Sequence, residues 1–215
     1  MSDENKAREE ICRLARSLFG RGLTNGSSGN ISVRIEGGFL VTPTGASFGS
    51  LDPAQLTRLG SDFAYMDGDK PTKELPLHTA FYDTRGANTG AVVHLHSTHS
   101  VAVSMLPEID TDCVFEPLTA YSVMRLGKVK LLPYFRPGDP AMGGAVRGLA
   151  GKRSAVLLAN HGPVVAAKDL QAAVYAAEEL EEVARLTLLT RNLHALPLSK
   201  DAVIDLRRHF EIEWE

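Results

Sequence analysis

The stretch AVVHLHSTHS, residues 91–100, passes from an apolar run into three histidines within six positions. An apolar, β-branched run bounded by glycine and serine is typical of a buried strand. Alternate side chains of a strand share a face, so His94 and His96 project together, about 6 to 7 Å apart at the backbone. His99 falls in the first turn of the helix that follows and faces another direction. The pair is either a two-histidine metal clasp or a hydrogen-bonded pair at a strand end.

A second histidine-containing fragment is LLANHGPVV, residues 157–165, where His161 lies at the end of another apolar strand. Gly162 lets the backbone turn closely around His161, and open α/β sheets place site residues at such strand ends. The two fragments together would supply three imidazoles, a set that leaves zinc with an open coordination position. The alternative is a core histidine whose ring is satisfied by a backbone carbonyl.

Three further fragments carry possible site chemistry. In KPTKELPLH, residues 70–78, Glu74 precedes a helix that begins near a proline, where a glutamate usually only complements the helix dipole. The stretches SSGNIS, residues 27–32, and TPTG, residues 42–45, are rich in hydroxyls and free backbone N–H groups that can surround an anion. Neither has Walker or Rossmann spacing, and such loops are often plain turns.

Helix and strand patterns alternate along the chain without internal repeats. Helical spacing of apolar residues predicts helices at 3–19, 51–59, 75–85, 97–106, 140–150 and 169–192, with caps at Ser2 or Asp3, at Ser97 or Thr98 and at Asp169. Short apolar runs predict strands at 31–35, 39–42, 62–66, 90–96, 113–116, 129–135, 154–160 and 163–167. This order predicts a single α/β domain over residues 1–215, with a central sheet covered on both faces.

Composition excludes several classes of partner. The 215 residues carry a formal net charge of −3 and no run of Lys or Arg, which argues against nucleic acid or an anionic membrane. No apolar stretch of about 18 residues occurs, and MSDENKAREE is too polar for a signal or transit peptide. We therefore expect a cytoplasmic protein. Cys12 and Cys113 are far apart and are expected to be reduced thiols without a role.

Taken in order, GNIS, TPTG, Glu74, HLH and NHG resemble the class II aldolase/adducin family over roughly residues 5–192. The resemblance implies a three-layer α/β/α fold with a mainly antiparallel or mixed sheet, the class II aldolase fold. It implies one zinc ion per subunit, or another divalent metal. It also implies a homotetramer with active sites at the subunit interfaces. The site residues implied are His94, His96 and His161 for the metal, Glu74 for catalysis, and Gly29, Asn30, Thr44 and Gly45 for the phosphate. Tyr121 lies near the place of a catalytic tyrosine that a neighbouring subunit supplies.

The details of the sequence point to a substrate. Thr72 and Lys73 stand where fuculose-phosphate aldolase has two serines, and residues 71–74 and 115–140 resemble the branch that decarboxylates 3-oxo-tetronate 4-phosphate. The resemblance implies conversion of this small phosphorylated sugar acid to dihydroxyacetone phosphate and carbon dioxide through a zinc-stabilised enediolate. We expect Glu74 to protonate the carbon, and Lys73 or Arg125 to orient the carboxylate.

Two alternatives stay open at this stage. One is a sugar-phosphate aldolase or epimerase of the same family, and the other is an adducin-like interaction module without chemistry. Retention of three histidines and a glutamate favours an enzyme. The C-terminal tail, with Phe210 and Trp214, either packs over a neighbouring site or is a frayed terminus.

Overall fold

The computed structural model of the chain describes residues 2–210 and 212, and one eight-stranded sheet forms its centre. In chain order the strands are β1 (Asn30–Ile35), β2 (Gly38–Val41), β3 (Thr57–Gly60), β4 (Tyr65–Asp67), β5 (Ala91–His94), β6 (Lys130–Leu132), β7 (Ala155–Leu158) and β8 (Gly162–Ala167). Their spatial order is β4-β3-β2-β1-β5-β8-β7-β6, and only β6 and β7 pair in parallel among these strands. The mainly antiparallel, mixed sheet is confirmed.

Helices cover both faces of this sheet. They are α1 (Asp3–Gly20), α2 (Leu75–Arg85), α3 (Thr98–Val103), α4 (Ala120–Leu126), α5 (Ala141–Arg147), α6 (Leu170–Thr190) and α7 (Lys200–Phe210). One apolar core joins α1 and α6 to the sheet, and a second joins α2 and α5 to the opposite face. The predicted caps at Ser2 and Asp169 are present, because Ser2 Oγ accepts from Asn5 N and Asp169 Oδ1 accepts from Ala172 N. Ser97 holds the predicted N-cap position of α3 but makes no side-chain capping bond. Three layers are therefore confirmed, whereas the single domain over 1–215 stays a prediction.

The register of the central strands brings three chain segments to one edge of the sheet. Asn30, the first residue of β1, lies opposite His94, the last residue of β5, and His94 lies opposite Val164 of β8. Because β5 is antiparallel to both neighbours, the start of β1, the end of β5 and the start of β8 share this edge. The loops that carry the predicted site residues therefore meet here.

Two predicted elements are wrong. Residues 113–116 form no strand, since this segment makes single hydrogen bonds, such as Val114 N to Val129 O, and no continuous ladder. Residues 51–59 form a single 3-10 turn, Pro53–Gln55, followed by β3. The aspartate and proline that signal a helix start here do set a turn, but pairing with β2 then draws Thr57–Gly60 into the sheet.

Two helices, α4 and α7, were not predicted. Thr119 caps α4 by accepting from Ser122 N, and α7 buries Val203 while Phe210 at its end is 57% exposed. Trp214 lies outside the described residues.

Both cysteines are free, as predicted. Among the helices described, none combines the length and the apolar character needed to cross a membrane.

Candidate active site

Three imidazoles converge at the sheet edge defined above. His94 ends β5, His96 follows two residues later on the same face, and His161 immediately precedes β8. Their ring centroids lie 4.7 to 4.9 Å apart, each pair edge to face. His94 is fully buried and His161 is 6% exposed. The structure thus brings together the three histidines that sequence analysis selected, from positions far apart in the chain.

Gly162 makes this convergence possible. Its φ of +152° lies in a region that other residues rarely adopt, and a Cβ there would lie 2.2 Å from the carbonyl oxygen of Leu95. Leu95 N in turn donates to Pro163 O at 3.1 Å. The backbone after His161 therefore passes directly against the backbone after His94, which no side chain would permit.

Glu74 faces the three rings from helix α2. It occupies the N-cap position, yet its side chain makes no capping bond, while its backbone N–H donates to Thr72 Oγ1 at 3.2 Å. Its Oε2 lies 3.3 Å from His94 Nε2, and its Oε1 lies 3.3 Å from His161 Nε2. One ligand atom from each of the four side chains lies within 4.8 Å of the others. The glutamate therefore points at the histidines and does not cap the helix.

The protonation states of this cluster suit a cation. His94 Nδ1 donates to Pro163 O at 2.9 Å. The Nε2 of a neutral His94 ring is then unprotonated, and its lone pair faces His96 Nε2 at 3.0 Å. Burial lowers the pKa of His94 well below its ordinary value, with neighbouring imidazoles adding to the effect, and burial also lowers the pKa of His96 and His161. Within the described residues, Glu74 Oε1 and both ring nitrogens of His161 have no hydrogen-bond partner. Neutral imidazoles and a carboxylate aimed at one point are a fitting donor set for a divalent metal.

A cavity of about 170 Å³ opens beside the cluster and contains the expected substrate residues. Glu74, His96 and His161 form its inner wall. The residues predicted to bind the substrate all line it: Gly29, Asn30, Thr44, Gly45, Thr72 and Lys73. The chain's own fold therefore brings the hydroxyl-rich loops, Glu74 and two of the three clustered histidines to one pocket.

Tyr121 and Arg125 lie elsewhere in the chain. They line a separate cavity of about 560 Å³ near α6, where the Arg125 guanidinium stacks over the Tyr121 ring at 5.6 Å. Tyr121 is 59% exposed. Within one chain neither residue lines the pocket that holds Glu74, so a role for either requires a neighbouring copy.

His99 is separate from the three-histidine cluster, as its position in α3 predicted. Its Nδ1 and its backbone N–H both donate to Glu181 Oε1, at 2.8 and 2.9 Å. The third histidine in the opening stretch therefore belongs to the contact between α3 and α6.

The class II aldolase and adducin N-terminal domain matches residues 9–188. The chain belongs to the class II aldolase and adducin family. The 3-oxo-tetronate 4-phosphate decarboxylase of Cupriavidus necator is 44% identical to this family member over 218 residues, covering 100% of both chains. The L-fuculose phosphate aldolase of Escherichia coli is 30% identical over 190 residues, 87% of this chain and 85% of that one. The crystal structure of YgbL from Escherichia coli has a TM-score of 0.93 at 42% identity, covering 96% of this chain and 100% of that one.

Sequence analysis of this class II aldolase family member missed a polar group behind Glu74. Ser32, His78 and Tyr82 are buried there and hydrogen-bonded to one another. The signal was present in the spacing, because Glu74, His78 and Tyr82 recur every four residues and so share a face of α2. Asn30 and Ser32 likewise alternate along β1.

Proposed function

We propose that the chain is a metal-dependent lyase that decarboxylates 3-oxo-tetronate 4-phosphate to dihydroxyacetone phosphate and carbon dioxide. This proposal rests on the position of Glu74, which lines the cavity of about 170 Å³ and also faces three neutral imidazoles. Full-length 44% identity to a decarboxylase of that name supports the choice of substrate. This arrangement supports a reaction in which Glu74 and a metal bound by the histidines act on the same substrate.

The reaction breaks one carbon–carbon bond and forms one carbon–hydrogen bond. When carbon dioxide leaves from C1, the bonding pair remains on C2 and is delocalised onto the C3 ketone oxygen, which gives an enediolate. C2 then needs one proton, and Glu74 transfers to it a proton taken from solvent. A divalent metal held by His94, His96 and His161 supplies Lewis acidity toward the ketone and hydroxyl oxygens.

The cavity walls divide the two anionic ends of the substrate. We assign the phosphate to the loops of Gly29, Asn30, Thr44 and Gly45, where backbone N–H groups and a hydroxyl are available. Lys73 lies on the same wall as Glu74, and its stem packs against Gly138. Its ammonium is assigned to the departing carboxylate, with Thr72 beside it.

We assign zinc, one ion per subunit, because three neutral imidazoles are a common zinc set that leaves one coordination position open for the substrate. We also propose a cytoplasmic homotetramer in which Tyr121 from a neighbouring copy completes each site. Its exposure and its distance from its own chain's pocket support this arrangement.

A sugar-phosphate aldolase is the second candidate, because the 30% identical L-fuculose phosphate aldolase belongs to the same family. Both reactions pass through the same enediolate, and they differ in whether carbon dioxide or an aldehyde departs. The assay therefore decides between them. Purified protein is incubated with the D and L forms of 3-oxo-tetronate 4-phosphate and with fuculose phosphate, and dihydroxyacetone phosphate, carbon dioxide and aldehyde are measured.

The same assay tests Glu74. We expect Glu74→Gln to lower kcat by roughly 10²- to 10⁴-fold, the usual contribution of a positioned proton donor, while metal content is retained. Glu36→Gln, at an exposed position on the sheet's hairpin, is the matched control and keeps full activity. Wild-type turnover by Glu74→Gln would move the proton-donor role elsewhere.

A further inference from the structure

Five polar side chains form a continuous hydrogen-bonded chain that ends at Glu74. Ser32 Oγ lies 2.9 Å from Tyr82 Oη and 2.7 Å from His78 Nδ1. His78 Nε2 lies 2.5 Å from Asn30 Oδ1, and Asn30 Nδ2 donates to Glu74 Oε2 at 2.8 Å. His78 is fully buried, and the other four side chains are at most 6% exposed. A polar chain at this depth requires every partner to be satisfied.

The carboxylate fixes the direction of all these bonds. Asn30 Nδ2 donates to Glu74 Oε2, so the Asn30 amide presents its carbonyl oxygen to His78. His78 must then carry its proton on Nε2, which leaves Nδ1 to accept from the Ser32 hydroxyl. Ser32 in turn accepts from Tyr82. Burial lowers the pKa of His78 to about 3, in agreement with a neutral ring.

This arrangement leaves the two carboxylate oxygens of Glu74 in different surroundings. Oε2 receives the Asn30 amide, whereas Oε1 has no hydrogen-bond partner among the described residues and faces His161. The chain therefore holds the carboxylate by one oxygen and keeps the other oxygen free for proton transfer. Asn30 is held in turn by His78, whose Nε2–H donates to the Asn30 carbonyl oxygen.

We propose that His78 is a positioning residue that orients Glu74 through Asn30, acting by its Nε2–H and not by its charge. The inference rests on the proposed function of Glu74 as proton donor. His78 itself does not line the cavity, and it reaches the site through its bond to Asn30, which does. Groups at this remove from a site typically change activity by about 10- to 100-fold when replaced.

Two substitutions of His78 distinguish the donor role of Nε2 from the acceptor role of Nδ1. His78→Gln can place an amide N–H near the position of Nε2 and retain the donor toward Asn30. His78→Asn can place an oxygen near the position of Nδ1 and retain only the acceptor toward Ser32. We expect His78→Asn to lower kcat by about 10- to 100-fold with KM changed less than about threefold, and His78→Gln to recover most of the loss. Metal content and thermal unfolding are measured on both variants.

A second measurement does not depend on activity. Histidine ring nitrogens of the ¹⁵N-labelled, metal-loaded protein are assigned by NMR, using His78→Gln to identify the missing signal. We expect His78 to show a protonated Nε2 and an unprotonated Nδ1 at neutral pH. An Nδ1–H tautomer or an imidazolium would reverse the chain and overturn the inference.

The kinetic outcomes are equally decisive. Equal loss of kcat in the Gln and Asn variants, in proportion to lost stability, means that His78 serves packing alone and the proposal is wrong. If wild-type protein does not release carbon dioxide, the proposed substrate fails. The same two variants are then compared on the carbon–carbon cleavage that the wild type does perform, so the two failures remain distinguishable.

Discussion

At the scale of single residues, the three clustered histidines differ in how the protein holds them. His94 is fixed by its bond to Pro163 O, whereas His161 has no hydrogen-bond partner for either ring nitrogen within the described residues. Burying an imidazole without a partner carries a cost, which is offset only if another group binds the ring. His161 is therefore the residue whose position in the pocket is best explained by a bound cation.

Replacing His161 tests this reasoning against a histidine of the same chain. We expect His161→Ala to weaken metal binding by more than about 100-fold, above the usual effect of losing a group that only supports a ligand. His99→Ala, which removes a ring bonded to Glu181, should retain metal. Metal content after dialysis, measured by elemental analysis, checks both variants. Full metal content in His161→Ala would remove this residue from the site.

Which site residues the sequence could predict depends on whether their signal is local. His94 and His96 carry a local signal, the alternation of side chains at a strand end. Glu74 was selected through the family resemblance, because a glutamate at a helix start by itself usually only complements the helix dipole. His78 carries no local signal, because a histidine on the apolar face of α2 reads as a core residue until Asn30 is placed next to it by the pairing of β1 with β5. Its role depends on contacts between segments, which one sequence does not specify.

At the scale of elements, helix α3 has no side-chain cap from its own N-terminal residues. The carboxylate of Glu181, in α6, takes the place of that cap. Ser97 makes no capping bond. The Glu181 carboxylate instead accepts from the backbone N–H groups of His99 and Ser100 and from both their side chains, at 2.7 to 2.9 Å. Since α3 begins two residues after His96, these bonds fix the segment next to that candidate metal ligand.

Replacing the carboxylate should destabilise the fold. We expect Glu181→Gln to lower the free energy of unfolding by about 1–3 kcal/mol, because its amide leaves buried donors unsatisfied. Glu182→Gln is the matched control on the same helix. Its carboxylate pairs with Arg185 at the surface, so its loss should change stability by less than about 1 kcal/mol. Urea unfolding of both variants measures the difference, and equal effects would contradict the capping role.

The same contact predicts a dependence on pH. Burial raises the pKa of Glu181, but the hydrogen bonds from His99 and Ser100 outweigh it and lower the pKa below the ordinary 4.5. A group whose pKa is lowered in the folded state stabilises the protein at pH values above its unfolded-state pKa. This stabilisation is lost as the pH falls through its folded-state pKa. The stability difference between wild type and Glu181→Gln should therefore be constant above about pH 5 and shrink in stronger acid. Urea unfolding from pH 7 to pH 3 tests this, and a constant gap would contradict it.

Sequence patterns predicted the long elements better than the short ones. Helices α1 and α6 have clear caps and helical spacing over 18 and 21 residues. The strand β3 was read as helix because its four residues, Thr57–Gly60, follow a helix-start signal. Its state is decided by hydrogen bonds to β2, and such long-range pairing overrides a weak local preference.

At the scale of the whole molecule, the site joins elements that otherwise meet only through the sheet and its two cores. The three clustered histidines come from β5, the loop after it and the residue before β8, and Glu74 faces them from the N-cap of α2. A cation that binds the folded chain alone stabilises it by mass action, about 2.7 kcal/mol at 100 times Kd. For a chain of this size that is a rise in Tm of roughly 5–10 °C.

Thermal unfolding with and without a chelator measures that rise. We expect zinc to raise the Tm of wild type and of His99→Ala, but not of His94→Ala, which lacks a donor. The comparison is made at equal protein concentration, because association of subunits also shifts Tm. An equal rise in all three proteins would show that zinc stabilises the fold from some other place.

The placement of Tyr121 makes a prediction about shared sites. If a neighbouring copy supplies this residue, Glu74→Gln and Tyr121→Phe each inactivate a different half of the same site. Co-expressed together, they should form mixed oligomers in which about a quarter of the sites combine an intact Glu74 with an intact Tyr121. Activity should then rise well above that of either variant alone, and the restored activity should appear only in the mixed oligomers. Oligomers mixed to the same extent but without recovered activity would mean that Tyr121 acts outside the site, and the cavity it shares with Arg125 would then need another explanation.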